Sequence, residues 1–313
     1  MIVPAFDARV QVVLPGLDGL FYGCSYGLIA LGLVLLYKSN RIFNFAQGEF
    51  ASVGAFTASA FLAGDGFLPK VPYPLALALG VAMSVLIAVA AERLVVQPLF
   101  TRPRVVLVIG TVGVALLLIA VQGLIFPQGR RLPTVSSWLG VSDAAFHVDT
   151  VNVTSTQLLE LGCLVTLGIL AIVFFRYVPQ GTAILAVSQD VTAARVVGIS
   201  VSRVSMLTWG LAGFLAGVGG VVLGADKLFT PGSFTGFLLI PSFAAAVFGG
   251  MTSLPGAFLG GILLGEVQAF AQDDSIYISG LKSVPGSAAE LAVFVVVLVV
   301  LLVRPRGLLG REA

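Results

Sequence analysis

Long apolar segments recur from one end of the chain to the other, and they limit the fold more than any motif does. A helix needs about 20 predominantly apolar residues to cross a bilayer. Nine segments reach or approach that length, at about 14–37, 45–64, 74–97, 105–126, 156–177, 204–225, 236–250, 256–271 and 288–303. Only 10% of the residues are charged, compared with about 25% in soluble domains. The sequence therefore predicts an all-α polytopic membrane protein with eight or nine transmembrane segments, some short or broken, in a single domain over residues 1–313.

The distribution of Lys and Arg predicts the orientation, because loops that stay in the cytoplasm carry an excess of these residues. If the loop at about 177–203 is cytoplasmic, eleven of the 17 Lys and Arg residues lie inside and six lie outside. The opposite orientation reverses that count. The amino terminus is therefore predicted outside the membrane and the carboxyl terminus in the cytoplasm.

The loop at about 177–203 has the signals of a short amphipathic helix. Thr182 is a residue type that caps helix starts, and Gly198 is typical of the position just after a helix end. Four apolar residues between them recur at spacings of three and four, which places them on one helical face: Ile184, Val187, Val191 and Ala194. Such a helix lies on lipid, on its own protein or in a groove of a partner, and the pattern fits all three.

The longest predicted outside loop spans about 127–155 and is rich in Ser, Thr and Val. This composition is compatible with short paired strands. The loop is long enough to offer a surface to a molecule outside the membrane, and a solvated connector explains it equally well.

Polar residues interrupt the apolar pattern where the second segment begins. Asn44 followed three residues later by Gln47 resembles a capping box, and Glu49 in the next turn is favoured by the positive end of a helix. These residues would then serve only the helix start. The alternative is that Gln47 and Glu49 lie at the inner mouth of a pathway, since an ionisable group close to apolar sequence indicates function.

A second interruption falls at 249–256, where glycines and a proline divide an apolar run into two short halves. Irregular backbone at membrane depth is tolerated only where it is buried in protein or lines a water-filled cavity, and broken helices often build substrate pathways. A tight turn between two tilted helices is the simpler explanation. Polar and aromatic residues before this break extend the list of candidate pathway residues to Asn44, Gln47, Glu49, Ser242, Phe243 and Phe248.

Glycines four residues apart occur on several segments: Gly213 with Gly217, Gly220 with Gly224, Gly256 with Gly260, and Gly261 with Gly265. Small residues at this spacing let helix backbones approach closely in lipid. We expect them to pack helices of this chain together, in preference to forming a dimer face.

Several function classes lack support in the sequence. A P-loop needs lysine after glycine so that the side chain reaches bound phosphates, and none of the lysines follows a glycine. No Ser-His-Asp, metal-ligand or paired-carboxylate arrangement indicates an enzyme. A net charge of +2 without a basic aromatic patch does not favour nucleic acid. We therefore expect a membrane protein in contact with lipid that has no catalytic residues, cofactor or metal of its own.

An ordered set of short motifs resembles one family across nearly the whole chain. The motifs are Ser25-Tyr26-Gly27-Leu28-Ile29-Ala30-Leu31-Gly32, Asn44-Phe45-Ala46-Gln47-Gly48-Glu49, Glu92-Arg93-Leu94 with Pro98, Gln189-Asp190, Ala193-Ala194, Gly198-Ile199, Leu211-Ala212-Gly213 with Gly217, Gly249-Gly250, Pro255-Gly256-Ala257 and Arg304-Pro305-Arg306-Gly307-Leu308-Leu309-Gly310. Together they resemble the permease subunits of high-affinity branched-chain amino acid ABC transporters, and specifically the H-type permease.

The resemblance implies a bacterial inner-membrane importer with several partner chains. These are a second, M-type permease, two ATP-binding subunits that hold ATP and Mg, and an extracytoplasmic substrate-binding protein. The helix at 177–203 would be the coupling helix that inserts into the ATPase. Its contact residues would be Gly181, Ile184, Val187, Asp190, Val191, Ala194 and Gly198.

The chain departs from the family pattern at three positions. The family commonly has His where this chain has Gln47, and often has Arg at the positions of Thr182 and Leu185. Docking would therefore depend on Ile184, Val187 and Val191. Relatives carry urea, short amides or aromatic acids, so another small polar solute is an alternative substrate. The sequence is also compatible with a stand-alone channel or carrier, and with a membrane scaffold that recruits a partner.

Overall fold

Helices dominate the computed structural model of the chain, which describes residues 10–65, 68–100, 102–134, 138, 144–148, 151–272, 288–304 and 307–309. In chain order the elements are α1 Val10–Asn40, α2 Gln47–Ala63, α3 Tyr73–Ala91, the π-helix π1 Glu92–Val96, α4 Gln97–Leu99, α5 Arg104–Ile125, β1 Ala144–Val148, β2 Val151–Thr154, α6 Ser155–Tyr177, α7 Pro179–Gln189, α8 Val191–Val196, α9 Val201–Asp226, the π-helix π2 Thr235–Leu239, α10 Ile240–Gly249, α11 Leu254–Gln272 and α12 Ala288–Val303.

Five helices within the described ranges are long and apolar enough to cross a membrane: Gly16–Asn40, Tyr73–Leu99, Arg104–Ile125, Val201–Asp226 and Leu254–Ala271. A sixth candidate is a pair of helices, Leu164–Tyr177 and Pro179–Val187, which are bent by 74° at their junction. Two shorter apolar helices cover Thr235–Gly249 and Leu291–Val303. The prediction of a polytopic helical membrane protein is confirmed, with five or six candidate spans. The count of eight or nine segments stays a prediction.

Helix α1 is the centre of the fold. Its residues from Cys24 to Leu36 are almost all inaccessible, which is expected for a helix that is apolar on every side. Helix α11 runs against it at backbone contact, because glycines face each other there. A Cβ atom on Gly23 would lie 2.6 Å from the Cα of Ile262, closer than carbon atoms approach. Only glycine therefore permits this separation of α1 and α11.

Helices α2, α3 and α9 form a second closely packed group. A Cβ atom on Gly213 of α9 would lie 2.6 Å from the Cβ of Ala88 on α3. The hydroxyl of Ser84 lies 2.8 Å from the carbonyl oxygens of both Phe50 and Gly213, and its proton can serve either. The expectation that the spaced glycines pack helices of this chain together is confirmed at these contacts.

Contacts among loops and helix ends define two opposite ends of the helix bundle. At the first end, the ammonium of Lys38 donates to the carbonyl oxygen of Thr252 at 3.1 Å. The amide of Gln97 donates to the hydroxyl of Ser202 at 2.8 Å. The loop between α6 and α9 lies at this end too, because α9 begins at Val201. These are the loops that the Lys and Arg count predicts to be cytoplasmic.

The second end joins α1 and the loops that follow α2, α5 and α9. The hydroxyl of Tyr22 donates to Asp226 at 2.7 Å, and the backbone of Arg130 pairs with that of Phe229. The guanidinium of Arg130 also forms an ion pair with Asp65. Loops predicted to lie on opposite sides of the membrane therefore meet at opposite ends of the helices.

Short paired strands lie within the loop at about 127–155. Strands β1 and β2 are antiparallel, with Val148 opposite Val151 and His147 opposite Asn152. The prediction of paired strands is confirmed for these residues. Positions 135–137, 139–143 and 149–150 of the same loop lie outside the described residues.

The end of the chain folds back onto the second interruption. The backbone N–H groups of Leu308 and Leu309 donate to the carbonyl oxygens of Phe248 and Gly249, at 2.9 and 3.1 Å. Gly307 has a φ of 79°, a conformation that side chains disfavour. The segment at 249–256 is thus a tight turn between α10 and α11, as the simpler explanation predicts, and residues 307–309 pair with its start.

Candidate functional site

The chain between α1 and α2 runs as irregular backbone within the depth of the helix bundle. The side chain of Asn40 donates to Ser205 at 3.3 Å, close to the start of α9. The side chain of Gln47 donates to the carbonyl oxygen of Ala212 at 2.9 Å. The two contacts are seven residues apart on α9, which is about 10 Å at 1.5 Å per residue. Residues 41–46 therefore cover a distance of about 10 Å along the axis of α9 before α2 begins.

Side chains satisfy the polar backbone of this irregular segment. The hydroxyl of Thr111 on α5 accepts from the N–H of Phe45 at 3.2 Å, and it also lies 3.4 Å from the carbonyl oxygen of Phe43. The side-chain oxygen of Asn44 accepts from the N–H of Ala46 at 3.0 Å. Without water, such partners are the condition for irregular backbone at this depth.

The predicted capping box at the start of α2 is wrong. The residue before the helix is Ala46, which has no side chain that can cap. Asn44 instead accepts from the backbone two residues on and donates to the side chain of Gln47 at 3.1 Å. Gln47 extends to α9 instead of turning back to its own helix start, because the carbonyl oxygen of Ala212 is a buried partner that it can satisfy.

A buried polar cluster joins α2, α5 and π2, and we call Glu49, Ser52, Gln122 and Thr235 the Glu49 cluster. The hydroxyl of Thr235 donates to Oε1 of Glu49 at 2.8 Å, and the hydroxyl of Ser52 donates to Oε1 of Gln122. Ser52 and Gln122 also lie beside the Glu49 carboxylate. The exposed fraction is 0% for Glu49 and Ser52 and 5% for Gln122.

Two atoms of the Glu49 cluster have no hydrogen-bond partner among the described residues. They are Oε2 of Glu49 and Nε2 of Gln122. A buried carboxylate oxygen is costly to leave unpaired. One acceptor and one donor therefore remain available inside the cluster.

Sequence reasoning missed Ser52, Gln122 and Thr235. In the sequence, only Gln122 could have indicated a buried polar site, since it is the one side-chain amide in the apolar run 105–126. Its partners come from two other segments, and no spacing rule joins them. The π-helix that begins at Thr235 is a second signal that only the structure provides, because such turns are frequent at functional sites.

The candidate pathway residues separate into two groups. Asn44, Gln47 and Glu49 lie together at the start of α2, and the ring of Phe243 on α10 lies 6.2 Å from that of Phe45. Phe45 is 39% exposed, so this aromatic pair reaches the surface of the chain. The other two candidates lie apart from the irregular segment.

Ser242 and Phe248 are both buried in α10. Phe248 lies at the end of the helix that pairs with Leu308. The hydroxyl of Ser242 has no hydrogen-bond partner among the described residues. The structure therefore does not bring these two side chains to the surface that carries Phe45.

The loop between α6 and α9 forms two helices where the sequence predicts one. Asp190 interrupts the predicted helix with an extended backbone, at φ −147° and ψ 108°. Its carboxylate accepts from the N–H groups of Thr192 and Ala193, at 2.7 and 3.0 Å. Asp190 is therefore the N-cap of α8, because the carboxylate satisfies donors that a helix start leaves free.

The ends of this two-helix segment only partly match the prediction. Helix α7 begins at Pro179, and Thr182 lies inside it, where its hydroxyl donates to the carbonyl oxygen of Pro179. The prediction that Thr182 caps the helix is wrong. Gly198 does end α8 with a φ of 87°, so that prediction is confirmed. Gly181 is buried against the backbone of Phe174, where a Cβ atom would clash.

The apolar face of the segment packs on this chain. Ile184, Val187 and Ala194 are 0%, 2% and 3% exposed, so they are not available to a partner. The expectation that docking depends on Ile184 and Val187 is corrected accordingly, since burial assigns them to the chain's own core. The side chain of Val191 lies outside those described.

Other residues form the exposed surface of the segment. Val196 and Val197, where α8 ends, are 83% and 73% exposed, and Asp190 and Arg195 are exposed beside them. We call Val196 and Val197 the valine tip. Two adjacent exposed valines at the end of a loop are candidates for contact with another chain.

Comparisons with known proteins place the chain in one family. A family model described as branched-chain amino acid transport system / permease component matches residues 17–304. The chain is 30% identical over 302 residues to the high-affinity branched-chain amino acid transport system permease protein LivH of Escherichia coli (strain K12), with 94% of both chains covered. It is 31% identical over 303 residues to the corresponding protein BraD of Pseudomonas aeruginosa, again with 94% of both covered.

A more distant relative has a different solute in its name. The chain is 28% identical over 285 residues to the galactofuranose transporter permease protein YtfT of Escherichia coli (strain K12), which covers 88% of this chain and 75% of the relative. No solved structure matches the chain. The family match extends over nearly the whole helical bundle, including the irregular segment, the Glu49 cluster and the two-helix loop. The chain therefore belongs to the family of permease components of branched-chain amino acid transport systems.

Proposed function

We propose that the chain is the membrane-spanning permease subunit of an ABC importer, and that it forms part of the translocation pathway for branched-chain or related amphipathic amino acids. The observation that carries this proposal is the similarity to LivH and BraD over 94% of the chain. ATP hydrolysis takes place on separate subunits, which also hold the ATP and Mg.

In this proposal the chain crosses the bacterial inner membrane nine times. Helix α2 has 17 residues and α12 has 16 described residues, so both are short for a span of about 20. Helix α2 begins inside the membrane in this proposal, and the irregular segment 41–46 covers the rest of that span. The amino terminus lies outside and the carboxyl terminus inside, which is supported by the excess of Lys and Arg in the loops that meet at the first end.

Helices α7 and α8 form the coupling segment, and the valine tip enters a groove of an ATP-binding subunit. Two features support this proposal. The segment turns away from α6 by 74°, and its buried residues Ile184, Val187 and Ala194 fix it to the bundle. A segment that is anchored on one face and exposed at its tip can transmit rigid-body movement of a partner.

A second permease of the M type packs beside this chain in the proposed complex. Helix α5 supports this arrangement, since much of it is exposed apolar surface, with Ile109, Leu116, Leu117 and Leu124 among the exposed residues. Lipid is the alternative neighbour for that face. An extracytoplasmic binding protein delivers the substrate at the end that carries β1 and β2.

The pathway runs past the irregular segment. Broken backbone at depth is typical of transporter pathways, and Phe45 and Phe243 place two aromatic rings at the surface there. Apolar rings suit the side chains of branched-chain amino acids.

A second candidate function is import of another small polar solute by the same complex. The relative named as a galactofuranose transporter permease favours this alternative. A stand-alone channel or carrier would instead move its solute without any ATP-binding subunit.

Co-purification of the chain with its native partners tests the proposal. We expect two permeases and two ATP-binding subunits, and the recovered binding protein should bind leucine, isoleucine or valine. Binding of only a sugar or an amide would favour the second candidate. Recovery of the chain as a homodimer without ATP-binding subunits would contradict the proposal.

A further inference from the structure

The chemistry of the Glu49 cluster indicates what kind of molecule it binds. Glu49 is 0% exposed, and its Oε1 accepts from Thr235 while its Oε2 is unpaired among the described residues. An ionised carboxylate is costly to bury unless a cation or strong donors compensate for its lost hydration. No Lys or Arg of the described residues is paired with it. Within the described residues, Oε2 of Glu49 thus remains an open acceptor beside Ser52 and Gln122, and a cation or a donor of a ligand can occupy it.

A second unpaired group in the cluster has the opposite character. Nε2 of Gln122 is a buried donor without an acceptor among the described residues, while Oε1 of the same amide accepts from Ser52. Ser52 follows Glu49 by three residues, so both side chains lie on one face of α2. The cluster thus presents one anionic acceptor and one neutral donor. An amino acid carries the complementary pair, an ammonium group and a carboxylate.

The cluster lies just below an open part of the molecular surface. Thr235 is half-buried, and the next residue, Gly236, is exposed, with nothing within 4 Å of the position of a Cβ atom. Helix α5 closes another side, and Gln122 and Thr111 are among its few buried residues. The side of the cluster beside π2 is therefore the one nearest to open surface.

From this geometry we propose that the Glu49 cluster is a subsite of the transport pathway that binds the ammonium group of the solute through Glu49, with Gln122 donating to its carboxylate. The inference rests on the proposed function, because it assigns a solute contact to a permease. It goes further by naming the recognised group and the residues that contact it. The predicted solute class is small molecules with a primary ammonium group.

The neutral, isosteric variant Glu49→Gln tests the subsite in the complete complex. The permeases, the ATP-binding subunits and the binding protein are reconstituted in proteoliposomes, and leucine uptake and ATP hydrolysis are measured together. We expect Glu49→Gln to lower leucine uptake per ATP hydrolysed by about tenfold or more, the loss expected for one charged hydrogen bond. Glu49→Asp should restore part of the uptake.

Glu92→Gln is the matched control, because Glu92 is also 0% exposed with both carboxylate oxygens unpaired among the described residues, and it lies on π1 outside the cluster. Its uptake should stay near that of the native chain. Equal losses in the two variants would reflect the general cost of neutralising a buried glutamate and would overturn the subsite. Unchanged uptake in Glu49→Gln would also overturn it and would leave the proposed function intact.

A second variant keeps the test decisive if Glu49→Gln does not assemble. Gly236→Leu adds a side chain beside Thr235 at a position where a Cβ atom meets nothing within 4 Å, and Gly162→Leu does the same on α6, away from the cluster. We expect Gly236→Leu alone to lower uptake, and equal uptake by the two variants would overturn the subsite beside π2. Absence of ATP-dependent leucine uptake by the native complex is a different result, which would contradict the proposed function itself.

Discussion

At the scale of single residues, the close packing of the helices depends on glycines and on small hydroxyl side chains. Glycines on α1, α9 and α11 allow backbones to touch, and a hydroxyl such as that of Ser84 bonds to backbone carbonyl oxygens across helices. In lipid these contacts replace the hydrophobic effect as the force that holds helices together. Sequence spacing identified the glycines, but it did not identify their partners, which come from distant segments.

Gly220 offers a direct test of this close packing. A Cβ atom there would overlap the backbone of Ala51 on α2, so Gly220→Val should force α9 and α2 apart. Overpacking of this kind costs about 1–3 kcal/mol, and we expect the melting temperature of the purified chain in detergent to fall by several degrees. Gly113→Val is the matched control, because its Cβ position is open. Equal melting temperatures for the two variants would contradict the packing described.

Asp190 is expected to stabilise α8 through the hydrogen bonds of its N-cap and not through its charge alone. Asp190→Ala removes the acceptor for the N–H groups of Thr192 and Ala193, which should cost about 1 kcal/mol of local stability. Asn is an equally good N-cap, so Asp190→Asn should keep α8 intact. Amide hydrogen exchange in residues 191–196 should accelerate in the first variant and remain native in the second. Fast exchange in both variants would assign the effect to the charge.

At the scale of elements, the structure shows which patterns were local enough to predict from the sequence. The helical character of the apolar segments, the strands within 127–155 and the helix end at Gly198 all depend on neighbouring residues, and they are confirmed, whereas the number of membrane spans stays a prediction. The capping box at Asn44 and Gln47 failed because α9 supplies a better partner for Gln47. The single helix over 182–197 failed because Asp190 can serve as an N-cap or as a helical residue, and tertiary packing decides between them.

The candidate site shows the same limit. Glu49 was identifiable as a charged residue beside apolar sequence, whereas Ser52, Gln122 and Thr235 were not. Each of these three is an ordinary polar residue in its own segment, and the cluster exists only because α2, α5 and π2 meet. Chemistry that depends on three separate segments cannot be derived from one-dimensional spacing.

The valine tip can be tested as an element of docking. The double variant Val196→Ser with Val197→Ser removes apolar surface from residues that are 83% and 73% exposed, so the fold should be unaffected. We expect recovery of the ATP-binding subunits with the permease to fall severalfold. Leu228→Ser is the control, because Leu228 is 67% exposed at the opposite end. Equal recovery with the valine variant and the control would show that docking does not use the tip.

At the scale of the whole molecule, the two ends of the bundle have separate roles in the proposed transporter. At the first end, α1 is joined to the turn after α10 and contacts α7 of the coupling segment, and Leu308 and Leu309 bind the end of α10. The second end joins Arg130 to Asp65 and Phe229, and Tyr22 to Asp226. Between the ends lie the irregular segment and the Glu49 cluster. Energy is thus expected to enter at the first end and substrate at the second.

The most direct test of this account is leucine uptake into proteoliposomes that contain both permeases, with and without the ATP-binding subunits. Binding protein and leucine are supplied at the face of the second end, and ATP at the face of the first. We predict that leucine accumulates only when the ATP-binding subunits and ATP are both present. Uptake of leucine by the permeases alone would contradict the account and identify a stand-alone channel or carrier.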